Sequence, residues 1–338
     1  MITVHQVAQA AGVSVSTVSR ALSAPHKVAP DTRDRIAALA AELGYQPNRA
    51  AAGLRAGRSS ALGLLVPDLA NTYFTTIIKG VVERAREYGM GVFVVDSSND
   101  PGTETAYLRS LAFQTDGVIA VSPRAPQADL KVVGAKPLVF VNQEGPLAVQ
   151  ADPTGGVDAA VEHLRQLGHT RIGYVGGPES SWVDSRRRHA LAATASTGVD
   201  ILDLGAFSPT VQGGQQAAAV VIASGATAVI TFNSVGAVGL IKQLRVSGLR
   251  VPRDLSVIAF DNTFLAELVH PELSSIGADL FVTGRVAADL VMEALGRGGG
   301  GNRSVAPEAV GTQRIVTVAS ALTVRASSGP ARSQVTAN

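Results

Sequence analysis

From Ala61 onward the chain alternates continuous apolar runs with amphipathic segments, and that alternation leaves few folds open. ALGLLVP, GVFVVD, DGVIAVS and PLVFVN are strand-like, with helical patterns over 72–88 and 104–114 among them. The pattern then repeats: a helix over 158–167, RIGYVGG, a helix over 185–196, the short strand ILDLG and a helix over 211–224. ATAVITFN, a helix over 235–246, LSVIAFD and a last helix over 280–295 complete it. Apolar runs of this kind suit strands covered by helices on both faces, so a doubly wound parallel sheet is expected. Two repeats of similar length predict two α/β lobes with a cleft between them.

The residues before this region follow another rule. TVHQVAQAAG reads as a short helix: Thr3 caps it, Gln6 completes a capping box, and Val4, Val7, Ala8 and Ala11 share one face. Gly12 ends it. SVSTVSRAL starts a second helix with Ser14 at the cap and Val18, Ala21 and Leu22 turned inward. Two short helices joined by a tight Gly-containing turn form a helix-turn-helix, an all-α unit. Val15, Ser16, Thr17 and Arg20 are expected to face outward, and such side chains read base edges or hold phosphates. With Thr3 and Ser14 they make the candidate DNA-contacting set. The same spacing also suits a helical pair used only for packing. A third helix over 30–43 begins with Pro30 and Asp31, keeps Ile36, Leu39, Ala40 and Leu43 at helical spacing, and stops at Gly44.

Charge favours the DNA reading. Residues 1–58 hold 7 Lys/Arg against 3 Asp/Glu, a balance of +4, whereas 59–338 hold 22 against 24, a balance of −2. Positive charge on the helical unit releases phosphate counterions on binding. With 338 residues and 46% hydrophobic content, the chain is long enough for more than one core. Cysteine is absent, so disulfides and thiolate metal sites are excluded; a reducing cytoplasm fits. No apolar run of about eighteen residues exists, and no secretion signal opens the chain, so no membrane association is expected.

AGVSVSTVSRAL, VAPDTRDRI, LGYQPNRAA and GLLVPD together resemble the lactose/galactose repressor family of bacterial transcription regulators, over nearly the whole chain. The resemblance implies a DNA-binding domain over 1–46 and a hinge over 47–60. It further implies a two-lobed effector-binding and dimerisation domain, periplasmic-binding-protein-like (type I), over 61–325. Residues 326–338 are expected to form a disordered tail and GRGGGG at 296–301 a flexible loop. In this family the stretch after the Pro folds into a hinge helix on operator DNA and enters the minor groove. Leu54 matches its apolar wedge; Asn48, Arg49 and Ala51 match its groove contacts. Gly53 replaces a more helix-favouring residue, making hinge folding costlier.

Ligands of doubly wound sheets collect past the carboxyl ends of strands. Those positions hold Asp68, Asp96, Ser122, Asn142, Asn233 and Asp261. Asp and Asn also cap helices and shape turns, so both readings stand for each; as a set they favour a polar small-molecule cleft. Asp261 matches the family's ligand-contacting Asp, with Ala259 where Gly is usual. ANTYFTTI matches the segment that puts aromatic rings on the cleft wall, so Tyr73 and Phe74 are candidates, with core packing an equal reading for Phe74. Trp182 can stack on an apolar ring face. In the Arg triplet that follows, the resemblance points to Arg187 as ligand-facing, with Arg186 as the alternative register. Ser234 stands where the family usually has Asp, and Gln143 where a charged residue is common. His169 and His270 read as turn and packing residues.

No phosphate-binding glycine signature or nucleophile–base arrangement is present, which sets an enzyme aside. A transport-type sugar receptor shares the lobed fold but not the N-terminal unit. The expected protein is therefore a transcriptional regulator, by default a repressor, without a cofactor or metal. It is expected to bind a near-palindromic operator as a homodimer, under control of a sugar or nucleoside-like effector. Residues 79–88 are the candidate dimer surface.

Overall fold

The computed structural model describes residues 2–23, 27–45, 59–125, 129–194, 198–297 and 313–332. The chain divides into two compact units, Met1–Ser59 and Ser60–Asn338.

In the first unit α1 (Val4–Ala11), α2 (Val15–Ser23) and α3 (Pro30–Glu42) close a small core. Thr3 caps α1: its hydroxyl accepts from the Gln6 amide, and the Gln6 side chain accepts from the Thr3 amide at 2.9 Å. Gly12 ends the helix at φ 63°, a left-handed conformation that glycine adopts without a Cβ penalty. The turn lets Val18 meet Val7, Ala8 and Ala11, while α3 supplies Ile36 and Ala40.

Among the described residues, the second unit holds two sheets of six strands each. The first runs β11 (Arg314–Ala319), β5 (Leu147–Asp152), β4 (Leu138–Val141), β3 (Gly117–Val121), β1 (Ala61–Val66), β2 (Gly91–Asp96), with every pair parallel. The second runs β12 (Ala321–Thr323), β10 (Ser274–Gly277), β9 (Ser256–Phe260), β8 (Ala228–Thr231), β6 (Arg171–Gly176), β7 (Asp200–Ala206). It is parallel apart from the β10–β12 pair.

On the first sheet, α4 (Thr72–Glu87) and α11 (Leu280–Ala294) cover one face and α5 (Pro101–Gln114) the other. On the second, α6 (Thr154–Gln166) and α7 (Trp182–Ala193) face α8 (Val211–Ala223) and α9 (Ser234–Val246) across the strands. α10 (Leu265–Leu268) is a single turn. The chain passes between the lobes three times: from β5 to α6, from β10 to α11 and from β11 to β12. Two glycines let α4 and α11 cross closely. A Cβ on Gly80 would stand 2.1 Å from the Phe281 carbonyl oxygen, and one on Gly284 2.1 Å from that of Ile77. This crossing covers part of the 79–88 segment and leaves Lys79, Val82 and Arg86 exposed.

Three helices begin earlier than their apolar spacing suggests. α5 starts at Pro101 because Asp100 accepts from the Gly102 and Thr103 amides and Pro fits the first helical position. α7 starts at Trp182 because Ser181 caps it. α6 starts at Thr154, four residues before the expected position, and carries Gly156 against Ile276 and Ser320 where the lobes connect. β10 has no apolar run at all: Ser274 and Ser275 are fully buried, satisfied by Ser327, Ser328, Asn262 and Arg325.

The expected tail over 326–338 is corrected for 326–332, which pack on the second lobe. Ser327 is fully buried, donating to the Val257 carbonyl at 2.6 Å and accepting from the Ser274 amide at 2.8 Å. The Gly329 amide donates to Ser256 Oγ, and the Ala331 amide to the Leu167 carbonyl. Small residues read as disorder from composition, yet they are what fits so close to a sheet. Residues 296–297 are ordered; the rest of GRGGGG lies outside the described residues, as do 333–338. Among the described residues no helix is long and apolar enough to cross a membrane.

Candidate functional site

On the first unit, Ser16 and Arg20 are exposed on α2, and Thr3 and Ser14 are exposed at the starts of their helices. Ser14 Oγ lies 2.8 Å from both Ser16 Oγ and Thr17 Oγ1 and accepts from the Thr17 amide. Arg20 Nε donates to the Ser16 carbonyl at 3.1 Å. Thr17 is half-buried. Val15, expected to point outward, is half-buried against the core because the first turn of α2 leans on it. The helix therefore offers a polar face of hydroxyls and one guanidinium, the groups that contact phosphates and base edges. Asn48, Arg49, Ala51 and Leu54 lie outside the described residues.

In the second unit the carboxyl ends of the strands converge on a cleft between the lobes. Ser122, Asn142 and Asp261 follow β3, β4 and β9 with φ of 42°, 54° and 73°. Non-glycine residues take this left-handed conformation at a cost, and here it occurs at three strand ends that border the cleft.

Asp261 and Arg187 form the centre. Arg187 Nη2 donates to Asp261 Oδ1 at 2.6 Å, with side chains only 9% and 10% exposed. Arg187 also donates to the Phe232 carbonyl, and its guanidinium carbon sits 4.7 Å and 4.4 Å from the ring centroids of Phe232 and Phe260. Burial pushes the Asp261 carboxyl up, against the pull of Arg187. Burial works against the Arg187 charge too, but Asp261 outweighs it and the guanidinium stays protonated. Asp184, nearly buried, holds α7 in place by accepting from Tyr174 at 2.7 Å, the Gly177 amide at 2.8 Å and Arg188 at 2.5 Å.

Across the cleft, Asn142 Nδ2 donates to the Tyr73 hydroxyl at 2.5 Å, while Asn142 Oδ1 accepts from the Ala151 amide. Burial pushes the Tyr73 phenol up, so it keeps its proton and has it to donate. Phe74 packs edge-on against Tyr73, centroids 5.2 Å apart, and both borders the cleft and joins the core of the first lobe. Trp182 lies at the mouth. Its indole donates to Glu144 of the opposite lobe at 3.4 Å, and Arg186 stands 5.8 Å from its ring centroid. Of the two alternatives in the Arg triplet, Arg187 is the buried one and Arg186 is exposed.

Other expected residues take local roles. Asp68 borders the cleft and accepts from the Ala70 amide at 2.8 Å. Asn233 also borders it, but caps α9 by accepting from the Gly236 amide and donates to the Pro209 carbonyl. Asp96 is not brought to the cleft lining: it shapes a turn, accepting from the Leu69 and Ser98 amides at 2.9 Å and 2.7 Å. Phe232, Phe260 and Arg124 border the cleft without having been singled out from sequence. Phe232 and Phe260 read as strand residues, and only the position of each at a strand end hinted at a cleft.

Residues 3–48 match the family described as bacterial regulatory proteins, lacI family, and residues 161–328 match the periplasmic binding protein-like domain. The HTH-type transcriptional regulator DegA of Bacillus subtilis (strain 168) is 32% identical over 289 residues, 81% of this chain and 86% of that protein. A solved Lac repressor dimer bound to operator and the anti-inducer ONPF is 25% identical, with a TM-score of 0.82 over 97% of this chain and 99% of that one. A LacI family transcriptional regulator from Enterococcus faecium with bound ribose is 27% identical, with a TM-score of 0.68 over 80% and 100%. The matches join an intact helix-turn-helix to the two-lobed cleft in one chain, which separates it from transport receptors and from enzymes of similar fold. The chain belongs to the LacI family of bacterial regulatory proteins and is a DNA-binding transcriptional regulator.

Proposed function

We propose that this regulator represses transcription as a homodimer on a near-palindromic operator, and that a sugar or nucleoside-like metabolite in the cleft sets its operator affinity. The observation that carries the effector half is the buried Arg187–Asp261 pair among the aromatic rings of Tyr73, Phe232 and Phe260. Carboxylate oxygens accept paired hydroxyls, and aromatic faces cover the apolar faces of a sugar ring or base. The ribose-bound relative supports the sugar class. Ser16 and Arg20 supply the groups for the major groove, and Leu54, with Asn48, Arg49 and Ala51, the minor-groove contacts. Symmetric half-sites require two such units, which the Lac repressor dimer on its operator supports. The protein acts at the nucleoid, in the cytoplasm.

Three crossings between the lobes leave room for one lobe to rotate on the other when ligand fills the cleft. Linkage then makes the effect mutual: the effector changes operator affinity by the factor by which operator changes effector affinity. Selection from genomic DNA fragments at fixed salt, with and without a panel of sugars and nucleosides, tests this. One enriched near-palindromic site, released or retained by one compound, is the expected result. Enrichment that no compound shifts would remove the effector half. Absence of any enriched site would remove the operator half.

A further inference from the structure

Two arginines, Arg187 and Arg124, line one cavity of the cleft in opposite electrostatic states. Arg187 is paired with Asp261 and also donates to the Phe232 carbonyl. Arg124, three residues past the end of β3, borders the cavity of about 610 Å³ and is half-buried. Its guanidinium makes no hydrogen bond or ion pair with any described residue. Its backbone is pinned instead. Fully buried Glu104 accepts from the Arg124 and Ala125 amides, both at 2.7 Å, and from Ser97 Oγ at 3.2 Å. The Glu104 charge acts on the guanidinium from behind, and burial pulls the Arg124 pKa down against it. A cation held partly out of water without a partner is costly, and a ligand anion would relieve that cost.

The surroundings agree. Asn71, Ser181, Thr210 and Asn233 border the same cavity, and they cap α4, α7, α8 and α9. Four helix N-termini thus turn their positive ends toward one space. The opposing charges are Asp68, which spends Oδ1 on the Ala70 amide, and Asp261, which is neutralised by Arg187.

We infer that the effector is an acidic polyol, a sugar carrying one oxyanion group, with the oxyanion held by Arg124 and hydroxyls received by Asp68 and Asp261. The oxyanion is a carboxylate or a phosphate ester. This inference deepens the effector reading above and rests on it.

Calorimetric titration of the full chain tests it with three sets of probes: pentose and hexose aldoses, their aldonic acids, and their phosphate esters. One acidic member is expected to bind at least tenfold more tightly than its neutral parent. Arg124→Gln should remove that advantage, so that acid and neutral parent bind this variant with like affinity. Arg124→Lys, which keeps the charge, should restore part of it, and thermal unfolding of both variants checks that they fold. Which acidic set binds distinguishes sugar acids from sugar phosphates. A neutral sugar that binds as tightly as its acids, with Arg124→Gln silent, would overturn the inference and leave the sugar-effector reading standing. Silence from all three sets would overturn the inference and the sugar class of the effector, leaving the nucleoside-like class of the reading above.

Discussion

Arg187 on α7 and Asp261 at the end of β9 meet at 2.6 Å inside the cleft, between the rings of Phe232 and Phe260. In the proposed effector site the pair has two roles, because the carboxylate proposed to receive a ligand is also the counter-ion of a buried guanidinium. The two roles cannot be separated by a single substitution.

Asp261→Ala is therefore expected to abolish the effector response and also to destabilise the second lobe. Breaking a buried pair leaves an uncompensated charge, at a cost on the order of 3 kcal/mol. The double variant Asp261→Leu with Arg187→Met should recover most of that loss without recovering effector binding. Denaturant unfolding of the two single variants and the double variant measures the coupling; additive losses would remove the pairing argument.

The crossing of α4 with α11 carries a charge cluster whose acid response has a definite sign. Arg84 and Arg285 hold the Glu87 carboxyl down from an ordinary 4.5 to about 2. A carboxyl depressed in the folded state contributes stability above its unfolded value and loses it as pH falls through the folded one. Glu87→Gln should therefore destabilise the first lobe at neutral pH by a small amount, and the difference from the unsubstituted chain should vanish between pH 4.5 and about 2. Thermal melts across that range test it; a gap that persists at the acid end would point to packing.

His169 joins the loop after α6 to the C-terminal segment. Because the Gly329 carbonyl only accepts, Nε2 donates to it at 2.9 Å, and Nδ1 accepts from Thr227 Oγ1 at 2.8 Å. Burial lowers its pKa. The unfolded chain then takes the proton first, so this contribution is present above the ordinary histidine value and fades as pH falls below it. His169→Ala should cost about 1 kcal/mol by removing one of two donors to the Gly329 carbonyl, which keeps Ser256 Oγ at 3.0 Å. Deletion of 326–338 should cost at least as much, whereas a disordered tail would be removed without effect. Both are read from unfolding midpoints at pH 7.5 and 5.5.

On α2, Arg20→Ala is expected to weaken specific operator binding by about 1–3 kcal/mol while leaving the α1–α2–α3 core intact, since Arg20 is exposed. Leu54→Ala should weaken specific binding more than non-specific binding. Fluorescence anisotropy with operator and scrambled duplexes at one salt concentration measures both ratios. Tight operator binding by the Arg20 variant would sink the docking arrangement.

Local rules account for what was legible in the residues alone. Thr3 with Gln6 and Gly12 act within a few residues of themselves, and apolar periodicity reports on burial wherever the buried side chains are apolar. Those rules were enough for the helix-turn-helix, the two wound lobes and the strand-end position of Asp261. They ran out where burial is polar or contacts are distant. Ser274, Ser275 and Ser327 form part of the second lobe's interior through hydrogen bonds made some fifty residues apart, and no hydropathy pattern carries that information. Asp96 and Asn142 look alike at strand ends, yet one spends its oxygens in a turn and the other reaches Tyr73.

Resemblance of motifs was thus sufficient for the family, and short-range backbone and burial preferences for the two kinds of domain and the neighbourhood of the cleft. Tertiary packing alone decided which polar groups are paired. Arg187 and Arg124 are the same residue type, but β9 brings Asp261 to the first, while Glu104 beside the second is consumed by backbone amides. Whether a charge in a cleft is satisfied depends on atoms far apart in sequence.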